Sequence, residues 1–292
     1  MSRWETVRVP ASSANLGPGF DSLAVALGLY LECRFGPSDR LHIEVAGRDA
    51  ALIPTDSSNL VWRASGLDLP PVELEIDNEI PIGKGLGSSA AAVVAGLAIA
   101  DRLLGLGWTR GRILDEAARR EGHPDNAAAC VLGSAVVTAT ASDGSTRAVR
   151  LEMPPGLRIA AVVPNFQLPT SQMRAVLPER YCSADAIFNI QRASLLVAAL
   201  ATGDRSAFPT ALEDRIHQPY RASEVPGLEE ILALRAPGLL GCALSGAGPS
   251  VLVFLESGAE PAADLVRQVF SRHGLCAEVL LANVAAQGYS VS

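Results

Sequence analysis

The chain has 292 residues, 49% apolar and 19% charged, enough to fill one large hydrophobic core or two modest ones. Its formal charge is −7 with both signs interspersed, and without a basic patch neither nucleic acid nor an anionic membrane surface is an expected partner. The five cysteines (Cys33, Cys130, Cys182, Cys242, Cys276) are scattered and never form a C-x-x-C pair, which argues against a zinc or disulfide framework and fits a reducing cytosol. The opening Met1-Ser-Arg-Trp-Glu-Thr lacks the apolar core of a secretory signal, and the longest apolar stretch, 90–100, is far short of the roughly 20 residues that cross a bilayer.

In chain order, Thr6 to Val9 reads as a strand that Pro10 ends, followed by a polar, glycine-rich loop from Ala11 to Asp21. Strands are predicted over 29–35, 41–45 and 72–77, the last with clean apolar alternation. Ser88 opens a helix to about Leu104 that is apolar on every side and must be enclosed. Thr109 caps a second helix to about Arg120, which Gly122 and Pro124 stop, and 135–141 is a strand. Beyond residue 152 the pattern reads strand 158–164, helix 184–201, short helix 229–234, a glycine turn at 241–250, strand 251–255, helix 261–273 and strand 277–281. That β-α-α-β-α-β order is an α+β unit.

The most informative stretch is Pro81-Ile-Gly-Lys-Gly-Leu-Gly-Ser-Ser-Ala-Ala91. Glycines at alternate positions let the backbone curl tightly, and two serines lead it into a helix N-terminus, so amide donors and the positive end of a helix dipole converge on one point. Lys84 within it is the only lysine of the chain. The lysine precedes the last glycines instead of following them, so this is not a Walker A loop. Three other segments are polar or glycine-rich between apolar elements: Ser12 to Asp21, Glu121-Gly-His-Pro-Asp-Asn126, and Leu244-Ser-Gly-Ala-Gly-Pro249.

Taken in this order the four segments resemble the GHMP kinases, named for galactokinase, homoserine kinase, mevalonate kinase and phosphomevalonate kinase. The 81–91 run is similar to that family's phosphate loop, and Ser245-Gly-Ala-Gly to its C-terminal glycine motif. Pro10-Ala-Ser-Ser-Ala-Asn-Leu-Gly-Pro-Gly-Phe-Asp21, Glu121 to Asn126, and Thr170-Ser-Gln-Met-Arg174 resemble landmarks of its homoserine-phosphorylating branch. The resemblance implies a two-domain α+β fold: residues 1–152 an α/β domain carrying the phosphate loop, residues 153–292 a ferredoxin-like domain completing the cleft. It implies a cytoplasmic enzyme that uses ATP and Mg²⁺ to phosphorylate L-homoserine for threonine synthesis, and a homodimer. A kinase for another small alcohol and a non-catalytic sensor of nucleotide or amino acid remain as alternatives. Three departures stand out: a shortened segment between Val61 and Val72, Ser134 where a second glycine is common, and Asn126 where other GHMP kinases have a catalytic aspartate.

The same resemblance distributes roles. Pro81, Gly83, Lys84, Gly85, Leu86, Gly87, Ser88, Ser89, Ala90 and Ala91 wrap the nucleotide phosphates, and Asn59 lines the adenosine pocket. Ser89, with Ser88 as rival, and Glu121, with Glu116 as fallback, hold magnesium. Arg174 and Arg221 take the substrate carboxylate and Asp21 its ammonium, while Asn15, His123, Asn126, Thr170, Ser245 and Gly246 line the remainder. Asn126, Asn15 and Lys84 make up the catalytic set. With no carboxylate at position 126, the hydroxyl proton is expected to pass to the γ-phosphate while Asn126 orients the hydroxyl.

Overall fold

In the computed structural model, which describes residues 4–292, one long hairpin organises the first half. β1 (Glu5–Asn15) and β2 (Gly19–Pro37) pair antiparallel from Glu5↔Phe35 to Asn15↔Gly19. Pro10 does not end the strand. It has no N–H to give the ladder, so the register slips there, Pro10 opposite Tyr30 and Ala11 opposite Leu27, and the strand resumes. The segment 11–15 is therefore strand and not the expected loop, and its Ser12, Ser13 and Asn15 are buried.

β3 (His42–Gly47) lies parallel to β4 (Val72–Asn78), with a 3₁₀ turn (Ala50–Leu52) and one α-helical turn, α1 (Leu60–Arg63), in the connection. The all-apolar run forms α2 (Ser88–Leu104), enclosed between β1 and the next two helices. α3 (Arg110–Glu121) begins where Thr109 Oγ1 accepts from Arg112 N–H and ends at Gly122, as its caps predict. α4 (Asp125–Leu132) was not anticipated: eight residues hold barely two turns, too few to show a helical period. β5 (Ala135–Thr140) and β6 (Thr146–Leu151) close the half. β6, also unanticipated, has no buried residue and so no apolar signal. The sheet runs β3–β4–β2–β1, with β5 on the first half of β2 and β6 on β5.

The second half runs β7 (Leu157–Pro164), α5 (Thr170–Ala175), α6 (Ser183–Thr202), α7 (Phe208–Ala211), α8 (Gln218–Arg221), α9 (Leu228–Leu232), β8 (Leu239–Leu244), β9 (Val251–Glu256), α10 (Ala263–Arg272) and β10 (Ala277–Ala282). Its sheet is antiparallel throughout in the order β10–β7–β9–β8, the ferredoxin-like arrangement. β7 and β9 are buried on both faces because alternate residues serve two cores. Ala160, Val162, Val251 and Val253 pack with α9 and α10, while Ile159, Ala161, Leu252 and Phe254 join the core of the first half. The chain then crosses back. Leu27 bridges Val284, and β11 (Ser290–Val291) adds to β1 at Val7↔Val291. Arg110 donates to Tyr289 O (2.9 Å) with its guanidinium over the Tyr289 ring.

Candidate active site

The glycine loop between β4 and α2 has Gly83, Gly85 and Gly87 all at positive φ (69°, 79° and 69°). Its carbonyls are tied down one after another. Ile82 O accepts from Gln167 Nε2, Lys84 O from Ser250 N, Gly85 O from Ser245 Oγ (2.7 Å) and Leu86 O from Ser12 N (3.2 Å). Among the described residues none accepts from the N–H groups of 83–87, and those of Ser88 and Ser89 belong to the unbonded first turn of α2. A loop whose oxygens are engaged and whose N–H groups are free is an anion cradle. The close fit depends on glycine: a Cβ at Gly85 would lie 2.2 Å from Ser245 O.

Lys84 is one of the residues lining the cleft. Its ammonium turns away to donate to Pro164 O (2.8 Å) and Phe166 O (2.6 Å), and burial holds its pKa below the usual lysine range. Ser89 Oγ donates to Glu121 Oε1 at 2.7 Å. Glu121 is half-buried, and burial raises its pKa against the Ser89 hydrogen bond and the nearby His123. Glu116 faces elsewhere, in ion pairs with Arg112, Arg119 and Arg120. Burial alone would raise its carboxyl, but those arginines hold it below the ordinary range.

Across the cleft, Asp21 sits at φ 54°, its N–H donating to Asn15 Oδ1 (3.1 Å), while Asn15 Nδ2 donates to Gly246 O (2.9 Å). Arg174 spans both Asp21 oxygens, at 3.0 and 2.7 Å. Arg221 is fully buried, its Nε donating to Met173 O and its Nη1 to Gly246 O and His217 Nδ1. Burial, and then the Arg174 charge, bring it down to about 10. His217 donates Nε2–H to Gly17 O (2.7 Å) and stacks on Phe20, over whose ring both guanidiniums also lie. His123 Nδ1 meets Asp125 Oδ1 at 2.7 Å. Burial pulls the imidazole down, but the hydrogen bond and charge of Asp125, helped by Asp21, leave it above its usual value. Asn126 Oδ1 accepts from Ser12 Oγ (2.9 Å). One cavity of about 130 Å³ touches the glycine loop, Glu121, His123, Asn126, Thr170, Asp21 and both arginines.

The chain matches the model for the GHMP kinases N terminal domain over residues 57–134 and that for GHMP kinases C terminal over residues 196–272. It is 59% identical to homoserine kinase of Solibacter usitatus, over 99% of this chain and 97% of that one, and 44% identical to homoserine kinase of Deinococcus radiodurans, over 97% and 95%. The crystal structure of homoserine kinase from Cytophaga hutchinsonii superposes with a TM-score of 0.84 at 28% identity, covering 100% of this chain and 98% of that one. Lactococcus lactis galactokinase shares the fold at a TM-score of 0.69 and 15% identity, over 99% and 95% of the two chains. The chain belongs to the homoserine kinases, within the GHMP family.

Beside the GHMP loop lies a second, largely apolar cavity of about 250 Å³, lined by Leu52, Pro54, Asn59, Leu60, Ser88 and Ala92 among others. Asn59 is fully buried there and caps α1, its Oδ1 accepting from Val61 N (2.9 Å) and its Nδ2 donating to Pro54 O (2.6 Å). The side-chain amide thus shapes the cavity wall and is already engaged. Ser245 is equally committed, to Ser13 Oγ and Gly85 O. Sequence reasoning missed Asp125, His217, Phe20 and Ser12 as parts of the site. The first was legible: a carboxylate two residues after His123 could have been read as its partner. His217 and Phe20 lie some 200 residues apart and give no local signal.

Proposed function

We propose that this GHMP kinase transfers the γ-phosphoryl group of ATP to the side-chain hydroxyl of L-homoserine, giving O-phospho-L-homoserine and ADP in threonine biosynthesis. One observation carries the reading: a cradle of free N–H groups and a paired set of opposite charges, Asp21 with Arg174, face each other across a single small cavity. A zwitterion suits that pair. Its ammonium replaces Arg174 at Asp21 while its carboxylate takes the Arg174 fork, so the net charge of the pocket is unchanged. The pair is partly exposed, so opening it costs about 1 kcal/mol or less. Arg221 Nη2, without a partner among the described residues, is a second donor for the carboxylate.

The N–H groups of 83–89 hold the phosphates, and the 250 Å³ cavity beside them takes the nucleobase. Mg²⁺ fits the donor set: Ser89 Oγ and the Glu121 carboxylate are hard oxygens 2.7 Å apart. When bound, the ion neutralises phosphate charge. The acceptor oxygen bonds to the γ-phosphorus as the bond to the β,γ-bridging oxygen breaks, and the hydroxyl proton passes to an oxygen of the transferred group. Asn126 orients the hydroxyl, and Asp125 holds His123 against the substrate side of the cavity. Lys84 acts by bracing the loop against the end of β7. The enzyme works in the cytoplasm as a homodimer, its two domains dividing near residue 152, with the last residues returning to the first. A coupled ADP-release assay with Mg-ATP across L-homoserine, mevalonate, L-serine and L-threonine tests the assignment: homoserine should give the highest kcat/KM, and preference for another alcohol refutes it.

A further inference from the structure

Ser12 is fully buried at the seam where the phosphate loop meets α4. Its N–H donates to Leu86 O, and Gly87 lies so close that a Cβ there would be 2.0 Å from Ser12 Oγ. The hydroxyl has one proton and two neighbours, Asn126 Oδ1 at 2.9 Å and Cys130 Sγ at 3.5 Å. The thiol gives its own proton to Pro10 O (3.3 Å), and sulfur is a weak acceptor, so the Ser12 proton goes to the amide oxygen. That bond settles which way the amide faces. An uncommitted asparagine offers a cleft either an acceptor or a donor; with Oδ1 held from behind, Nδ2 and its two protons are left for the cavity that Asn126 lines.

We propose that Ser12 is a positioning residue for phosphoryl transfer, holding Asn126 Oδ1 so that Asn126 Nδ2 donates to the acceptor hydroxyl oxygen. The oxygen's own proton is thereby directed away from Asn126 and toward the γ-phosphoryl group. Were the amide reversed, Oδ1 would accept the hydroxyl proton and point it away from its destination. The assignment rests on the kinase reading above and specifies how residue 126 works without a carboxylate.

A double-mutant cycle tests it. Ser12→Ala is expected to lower kcat about tenfold, the equivalent of one hydrogen bond, with KM for ATP within twofold of wild type. Asn126→Ala is expected to lower kcat about a hundredfold, as loss of one preorganised donor does. Because Ser12 acts only through Asn126, the double variant should match Asn126→Ala alone. A double-variant loss equal to the product of the two, or full kcat in Ser12→Ala, overturns the assignment. Ser12→Cys, similar in volume with only a weak S–H donor, repeats the cycle with the same expected outcomes if Ser12→Ala does not fold. The cycle is run on whichever alcohol the wild-type enzyme turns over fastest, so failure of homoserine as acceptor would refute the substrate assignment while this test still reads.

Discussion

Replacing Gly85 by alanine should weaken ATP binding far more than it weakens the fold. The residue sits at φ 79°, and a Cβ there meets Ser245 O at 2.2 Å and Gly248 O at 2.8 Å, both backbone atoms that cannot swing aside. The loop must therefore pull away from the 245–248 turn, carrying its N–H groups out of register. Restoring the geometry on nucleotide binding costs about 1–2 kcal/mol for left-handed backbone with a Cβ. Loss of the Ser245 Oγ to Gly85 O bond (2.7 Å) adds about 1 kcal/mol. A total of about 2–3 kcal/mol predicts a roughly 30- to 150-fold rise in KM for ATP at 1.4 kcal/mol per decade. Steady-state kinetics give KM, calorimetry with a non-hydrolysable analogue gives Kd, and a thermal melt reports the fold. Gly105→Ala is the control: φ is 62° and nothing lies within 4 Å of its Cβ, so it should lose stability but leave KM unchanged. A folded Gly85→Ala enzyme with KM for ATP within threefold of wild type would refute the reasoning.

Burial raises the Glu121 pKa above the ordinary 4.5, so the stability it contributes at low pH is lost as pH rises through the folded value and the unpaired carboxylate is forced to ionise. Mg²⁺ should remove that cost, so the gain in Tm on adding Mg²⁺ should grow with pH and vanish in Glu121→Gln; a pH-independent gain would exclude Glu121 as ligand. Arg174→Ala should raise KM for homoserine about 10- to 100-fold, the loss of a bidentate charge-assisted contact, with KM for ATP unchanged. Parallel rises in both constants would place Arg174 outside the acceptor pocket. His217→Ala leaves the buried Arg221 Nη1 and Gly17 O short of a partner, and chemical denaturation should show about 2–4 kcal/mol less stability; a loss under 1 kcal/mol would contradict the network.

Elements with a strong local signature were legible in the sequence. Helix α2 is legible to the residue at its start because an apolar run follows two serines, and α3 because Thr109 and Gly122 bracket it. β8 was hidden because Leu239–Leu244 is buried throughout, leaving no alternation, and its Gly241 reads as a turn. The segment 11–15 misleads for the opposite reason: its polar residues are internal because partners more than a hundred positions away, Asn126 and Ser245, satisfy them. The glycine loop could be recognised from the spacing of its own residues, yet the direction of Lys84 could not, since the carbonyls that capture it belong to Pro164 at the end of β7 and to Phe166 just beyond it. Choosing between Glu116 and Glu121 likewise required knowing which side of α3 carries three arginines and which faces Ser89 of α2.

The return of residues 284–291 to the first sheet bears on how the polypeptide matures on the ribosome. Val7 and Arg8 find their outer neighbours at Val291 and Ser290, so β1 waits for residues translated long after it. Until then its free edge is open to pairing with other nascent chains. Deleting β11 should therefore yield aggregation-prone protein, although none of the residues lining the candidate cavity lies in it.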